Sequence, residues 1–375
     1  MRSVFILIDA LGWQKVREME FLPEFSGNRF ALKTILGYSG ACQAAIFTGK
    51  PPSETGHWLM YSFARRTTTF GAARWLRPLP KWVKNRGRCR RWLRRRADRN
   101  IRGYFSLYSV PVEALPYLDV PAKEDLYSPG GLAPARGILD DLADRRTPFS
   151  VWSWRVGEEE SLEDLIAQLQ RDEKRFYLVY WTKLDALMHE YGTGAPEVER
   201  HVRWYESAIR RVAEVGSQRG GETRIFVFSD HGMIDTTGTT DLMGPVAALG
   251  LRYGKDYVAF FDSTLARFSF FSDRARRSVE TLLSEQPGGE ILSPEAMKAL
   301  GVYDPEGRYG DLVFLTQPGV IIEPSYMGTR APRAMHGFHP DAAGSDAHFI
   351  SNVETGQRME SVMDVYSAMR GEMSG

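Results

Sequence analysis

The sequence predicts an α/β protein, a three-layer α/β/α sandwich with a mostly parallel central sheet and an inserted lid or cap region. Three observations predict it. Short, continuous apolar runs recur along the chain without polar alternation, as strands covered on both faces require. Amphipathic helical patterns separate those runs. One long stretch, residues 62–140, breaks the alternation and is rich in Pro, Arg and Trp.

The elements follow in order. "SVFILI" (3–8) reads as the first strand and stops at Asp9. "FSVWSW" (149–154), "RFYLVYW" (175–181), "RIFVFS" (224–229) and "DLVFLT" (311–316) read as further buried strands. Over 197–215, Val198, Val202, Tyr205, Ile209, Val212 and Val215 recur at helical spacing. Met359, Val362, Met363, Tyr366 and Met369 form one stripe, which predicts a docked terminal helix over 359–369. "YVAFFDSTLARFSFF" (257–271) suggests two strands of a small second subdomain. The expected division is therefore a catalytic core of 1–61, 141–235 and 300–375, a basic insertion at 62–140, and a small α+β cap at 236–299.

Composition narrows the class. With 375 residues, 43% hydrophobic and 12% aromatic, the chain can bury a sizeable core. Cys42 and Cys89 are too few for a disulfide framework, so a reducing compartment is expected. The apolar run from Val4 ends at Asp9, too soon for a signal peptide. No stretch approaches the roughly 18–20 apolar residues of a membrane span. A soluble cytoplasmic protein is expected. The net charge of +1 hides an asymmetry: residues 65–102 hold 15 Lys plus Arg against the single acid Asp98, leaving −13 on the rest.

In parallel sheets, function gathers beyond the carboxyl ends of the strands. Asp9 follows the first run, Asp185 the third, and Asp230 with His231 the fourth. In "KLDALMHEYG", Asp185 and His189 are four apart, so on a helix they share a face and can grip one ion. His336 of "MHGFHPD" completes a set of three Asp and three His. Such oxygen and imidazole donors suit zinc, with manganese as the alternative. They suffice for two divalent ions, which about 3.5–4 Å apart can hold the attacking and leaving oxygens of a phosphoryl displacement. Ser39, ahead of the helical "CQAAIFTG", supplies a hydroxyl at a helix N-terminus, where unpaired N–H groups and the dipole favour negative charge. Thr34 is the alternative nucleophile.

In order, these motifs resemble the alkaline phosphatase superfamily, in its nucleotide pyrophosphatase/phosphodiesterase-like branch. An Asp closes the first strand in "ILIDALG". Ser39 lies nine residues before Thr48 of "TGKPP", and "DALMH", "SDHGM" and "MHGFHPD" follow. The resemblance runs from residue 3 to about 352 and is weakest in 62–140. It implies that Asp185, His189 and His336 bind one metal, and that Asp9, Ser39, Asp230 and His231 bind the other. Ser39 would attack phosphorus and form a phospho-enzyme that water hydrolyses. A phosphodiester or pyrophosphate is the expected substrate, with a monoesterase or phosphotransferase on the same scaffold, or a non-catalytic relative, as alternatives. Cys42, Gln43, His57 and His339 are the expected substrate contacts, with His339 competing with His336 for a metal. "SGACQ" lacks the Pro and Arg of a sulfatase setting, so sulfate esters are not expected. His201 is expected at the surface.

The segment 74–102 interleaves Trp75, Trp82, Trp92 and Leu93 with arginines. It has three readings: a solvated basic face, an interfacial element resting on an anionic membrane, or a lid that grips a polyanionic substrate. The expected partner is a phosphate-ester small molecule or a lipid-linked phosphate, and nucleic acid is not expected. If the membrane reading holds, the protein sits peripherally at the inner face of the membrane.

Overall fold

A computed structural model describes residues 1–65, 67–76, 80, 87–171, 174–218 and 222–373. Trp82, and with it residues 77–79 and 81–86 of the basic segment, lie outside the described residues.

The central sheet has six strands: β1 Arg2–Ile8, β2 Asn28–Leu32, β3 Phe149–Trp152, β4 Phe176–Trp181, β5 Thr223–Phe228 and β6 Ala347–Ser351. Their spatial order is β2-β6-β5-β1-β4-β3. β1 lies between parallel neighbours β4 and β5, and β3 pairs parallel with β4. β6 runs antiparallel to both β5 and β2, so one side of a mostly parallel sheet is antiparallel. Every residue of β1 and β4 is buried, which explains their uninterrupted apolar runs. The register sets Leu7 beside both Tyr180 and Phe228. The carboxyl ends of β1, β4 and β5 are therefore level, and Asp9, Asp185 and Asp230 all leave the sheet at one edge.

Two of these strands escape the apolar-run criterion. β2, "NRFAL", is half exposed, and β6, "AHFIS", is short and carries a buried histidine. Conversely, the run at 311–316 forms a strand, Leu312–Thr316, outside the central sheet. It lies antiparallel between Leu265–Phe270 and Gly289–Ile291, with Tyr257–Phe261 next to Leu265–Phe270. A continuous apolar run signals cover on both faces; it does not say which sheet receives the strand.

The chain divides into two compact units. The first comprises Met1–Thr55, Tyr127–Asp235 and Arg333–Gly375; the second comprises Gly56–Leu126 and Thr236–Pro332. Residues 62–126 and 236–332 thus share one unit. Their common core packs Leu93, Leu107, Val110, Leu115 and Leu118 with Phe260, Phe268 and Phe314. Leu93, grouped above with the tryptophans of the basic segment, is buried there. Residues 127–140 belong with the central sheet instead.

In the first unit the helix Pro196–Ser217 turns Val198, Val202, Tyr205, Ile209 and Val212 into the core, as its periodicity predicts. The terminal stripe forms a short 3-10 turn, Val362–Asp364, capped by Ser361, and then the helix Val365–Glu372. Met359, Val362 and Met369 are buried. Among the described residues, no helix is long and apolar enough to cross a membrane.

Candidate active site

Two loops at the carboxyl edge of the sheet bring the first acidic groups together. After β1 the chain turns sharply at Ala10, which holds φ 64°, a conformation L residues adopt at a cost. That turn aims the Ala10 N–H at Asp230 Oδ1, 3.3 Å away, and the His231 N–H reaches the same oxygen at 3.1 Å. Gly12 permits the close approach of the two loops: a Cβ there would lie 2.6 Å from Gly232 Cα.

Ser39 is the first residue of the helix Ser39–Thr48, which ends at Gly49 in the left-handed conformation (φ 67°). The predicted helix start and its "TG" stop are both present. Ser39 Oγ lies 3.1 Å from His231 Nε2 and 3.4 Å from Asp9 Oδ1. Thr34, the alternative nucleophile, is buried and donates to the Asp230 carbonyl at 2.7 Å. Its hydroxyl is committed to the backbone.

The helix Lys183–Tyr191 follows β4 and presents Asp185 and His189 on one face, with His189 Nε2 3.2 Å from Asp185 Oδ1. The loop after the short strand Ala334–Met335 brings His336 Nε2 to 3.6 Å from the same oxygen. Two donor triads result: Asp185, His189 and His336; and Asp9, Asp230 and His231. The rings of His231 and His336 stack at 3.7 Å with 9° between planes, so the triads are immediate neighbours.

The electrostatics of this cluster call for cations. Asp9, Asp230 and His336 are all buried. Burial, then the charges of Asp230 and Asp185, hold the Asp9 carboxyl well above its ordinary pKa. Burial raises Asp230 as well, against the opposing charge of His231. Burial also pushes Asp185 up, but the His189 charge and hydrogen bond, with His336 adding, hold it below the usual carboxylate range. Burial, then the His231 charge, depresses His336 well below an ordinary imidazole. Among the described residues, no Lys or Arg forms an ion pair with Asp9, Asp185 or Asp230. Buried negative charge without a basic partner is expensive unless a metal balances it. The histidines are oriented for that purpose. His189 Nδ1 is 2.7 Å from the Ala334 carbonyl and His231 Nδ1 3.0 Å from the Gly232 carbonyl, which turns Nε2 of each ring toward the carboxylates of its triad. Each of the two triads could hold a metal ion.

Two tyrosines complete the site, and neither was singled out in the sequence. Tyr180, on β4, donates a short hydrogen bond to Asp9 Oδ2. Its ring stacks on Tyr127 at 5.3 Å. Tyr127 donates to Gln43 Oε1 at 3.1 Å, and Gln43 Nε2 donates to Asp230 Oδ2 at 3.4 Å. The available signal for Tyr180 was a hydroxyl inside an otherwise apolar strand, since a buried tyrosine O–H needs a partner.

The other predicted contacts are dispersed. Cys42 is fully buried 3.5 Å from Thr34 Oγ1, and burial, then the Asp230 charge, push its thiol up. It is a packing residue. His339 is half exposed, and its Nδ1 accepts the Asp341 N–H at 3.2 Å in a local turn. His57 is buried in the second unit. His201 departs from its expected surface position. It stacks on Trp204 and meets Glu158 at 2.7 Å, in the wall of a cavity of about 760 Å³ that contains none of the triad residues. The helix stripe located its neighbours Val198, Val202 and Tyr205 but carried no sign of Glu158, more than forty residues away.

Comparison with known proteins identifies the family and the fold. The family model "Type I phosphodiesterase / nucleotide pyrophosphatase" matches residues 4–339. Human ectonucleotide pyrophosphatase / phosphodiesterase 5 has a similar structure, with a TM-score of 0.71 at 11% identity over 100% of this chain and 95% of that one. Its murine counterpart gives 0.70 at 12% identity over the same shares. An inactive variant of the murine protein in complex with AMP gives 0.69 at 13%. No curated protein sequence matches the chain. The chain thus belongs to the type I phosphodiesterase / nucleotide pyrophosphatase family of the alkaline phosphatase superfamily, a family of metal-dependent phosphoric ester hydrolases.

Proposed function

We propose that the protein hydrolyses a phosphodiester or pyrophosphate bond through Ser39 at a site holding two divalent metal ions, zinc in the first instance. Asp185, His189 and His336 hold one ion; Asp9, Asp230, His231 and Ser39 Oγ hold the other. The observation that carries this reading is the position of Ser39 Oγ, within hydrogen-bonding reach of two members of one triad while the second triad stacks against the first. Bound there, the ions would lower the pKa of the serine hydroxyl and of water and balance the charge of the phosphoryl oxygens.

The residues themselves perform the rest. The N-terminus of the helix Ser39–Thr48 offers unpaired N–H groups and its positive dipole end to the phosphate. Ser39 loses its proton to solvent, and its oxygen bonds to phosphorus as the bond to the leaving oxygen breaks. The leaving group departs as an alcohol or phosphate. Water then attacks phosphorus, the Ser39 Oγ–P bond breaks, and the remaining monoester is released. Tyr180 and Gln43 hold the outer oxygens of Asp9 and Asp230 throughout. A nucleotide substrate is the first to try, given the AMP bound by the similar murine protein.

The test is a metal-analysed preparation assayed on paired diester and monoester nitrophenyl substrates and on nucleotide, phospholipid-headgroup and sugar-phosphate panels. Diester turnover should exceed monoester turnover and vanish with a chelator. Ser39→Ala should lower it by about 10³-fold or more. Diester turnover that survives Ser39→Ala would overturn the proposal.

A further inference from the structure

The second unit carries an exposed basic surface. Its helix Gly87–Ala97, "GRCRRWLRRRA", is anchored along one stripe. Leu93 and Ala97 are buried in the unit's core. One turn before Leu93, on the same stripe, Arg90 turns inward and donates to the carbonyls of Val110 (2.9 Å), Leu107 (3.3 Å) and Tyr108. Positions 90, 93 and 97 thus fix the inner face, and the 3.6-residue period puts 88, 91, 92 and 95 on the opposite one.

That outer face is Arg88, Arg91, Trp92 and Arg95, all exposed, with exposed Arg94 and Arg96 flanking them and Arg99 just beyond the helix end. Among the described residues, the ion pairs of this stretch are Arg94–Asp98 at 3.9 Å and Arg102–Glu124 at 3.4 Å; Arg88, Arg91, Arg95, Arg96 and Arg99 have no acidic partner. A soluble surface normally intersperses both signs. Here a rigid helix displays unneutralised guanidinium groups, and the anchoring of Arg90, Leu93 and Ala97 prevents the helix from rolling to hide them.

The exposed aromatic residues bear on which polyanion fits. Among the described residues, the exposed large hydrophobics are Trp75, Trp92, Tyr104, Tyr191 and Phe271. Three of these five lie between residues 75 and 104, with Trp75 82% and Trp92 45% exposed. Exposed indoles among arginines match the headgroup zone of a bilayer, where the ring meets acyl chains and the guanidinium meets phosphate. Single-stranded nucleic acid also stacks its bases on exposed indoles and is the competing occupant in the experiment.

We infer that the outer face of the helix Gly87–Ala97 docks the protein on an anionic phospholipid surface. This inference is independent of the reaction at Ser39. The experiment uses the full chain and floats it with phosphatidylserine/phosphatidylcholine vesicles or with pure phosphatidylcholine vesicles, beside a fluorescent single-stranded oligonucleotide. Binding is expected only to the anionic vesicles, and it should weaken as salt rises. Each surface arginine near an anionic leaflet strengthens binding about fivefold, so Arg88→Gln/Arg91→Gln/Arg95→Gln should weaken it about 100-fold. Trp92→Ser should weaken it about tenfold. Both variants should keep the hydrolytic rate of the wild type on a soluble diester, which also verifies folding. Equal binding to neutral vesicles, no vesicle binding, or undiminished binding by the triple variant would each overturn the inference. So would capture of the oligonucleotide alone, which would reassign the face to nucleic acid.

Discussion

Tyr180→Phe isolates what the support of the proposed metal ligand Asp9 is worth. The substitution removes one oxygen and leaves the ring, so the 5.3 Å stack on Tyr127 and the packing of β4 are retained. What is lost is the hydrogen bond to Asp9 Oδ2. Asp9 already carries a raised pKa from burial and from the charges of Asp230 and Asp185, with the Tyr180 bond among the few influences that lower it. Without that donor the carboxylate is harder to ionise, and an incoming metal must displace a more tightly held proton. A hydrogen bond to a charged group contributes about 1.5–3 kcal/mol. That converts to roughly 10- to 100-fold in metal affinity at neutral pH, the range typical of residues that support a metal ligand. The assay is competition for zinc against a fluorescent chelator, with thermal melts in excess chelator to establish that both proteins are folded. A metal affinity within about twofold of wild type, in a folded variant, would refute the reasoning.

Three further predictions follow from other parts of the molecule. Thr34→Val should lower unfolding free energy by about 1–3 kcal/mol by orphaning the Asp230 carbonyl, yet leave turnover within about tenfold. Loss of turnover there, with retention in Ser39→Ala, would move the nucleophile to Thr34. In the second unit, buried Arg267 pairs with buried Asp262 at 3.1 Å and donates to the Tyr61 carbonyl at 2.9 Å. Arg267→Met should cost about 3–5 kcal/mol in denaturant melts, because it strands a buried carboxylate, and Arg267→Met/Asp262→Leu should recover most of that. Finally, His348 is fully buried, within 2.6 Å of the Leu11 carbonyl, and burial pushes its pKa down to about 3. The folded chain refuses a proton that the unfolded chain takes up below about pH 6.5, so stability falls as pH drops from there toward about 3. The slope should be about 1.4 kcal/mol per pH unit at most, and His348→Gln should reduce the measured slope by that amount.

Much of the ligand set was legible because its residues follow elements that announce themselves. β1, β4 and β5 are uninterrupted apolar runs, so the acids beyond their ends could be grouped before any contact was known. Asp185 and His189 share a face through spacing alone. The donors that hold these ligands in place were not legible. Tyr180 and Tyr127 meet across more than fifty residues of sequence, and the Gln43–Asp230 bond spans 187. Nothing local distinguishes such a tyrosine from an ordinary core residue. Composition sets residues 62–140 apart as an insertion, whereas in the structure Leu107, Val110 and Leu115 pack in one core with Phe260, Phe268 and Phe314. Long-range apolar pairing leaves no periodic mark on either partner. β2 and β6 were missed because an edge strand and its antiparallel neighbour carry polar residues where a central strand does not.

In the proposed reaction Ser39 Oγ is the atom that bonds to phosphorus. Acid-quenching the zinc-loaded enzyme during turnover of thymidine 5′-nitrophenyl phosphate, followed by peptide mass spectrometry, addresses this directly. A thymidylyl adduct is expected on the peptide containing Ser39, matched by an initial burst of nitrophenol, with both lost when the metal is chelated. An adduct on any other residue, or steady turnover with neither burst nor adduct, would contradict the proposal.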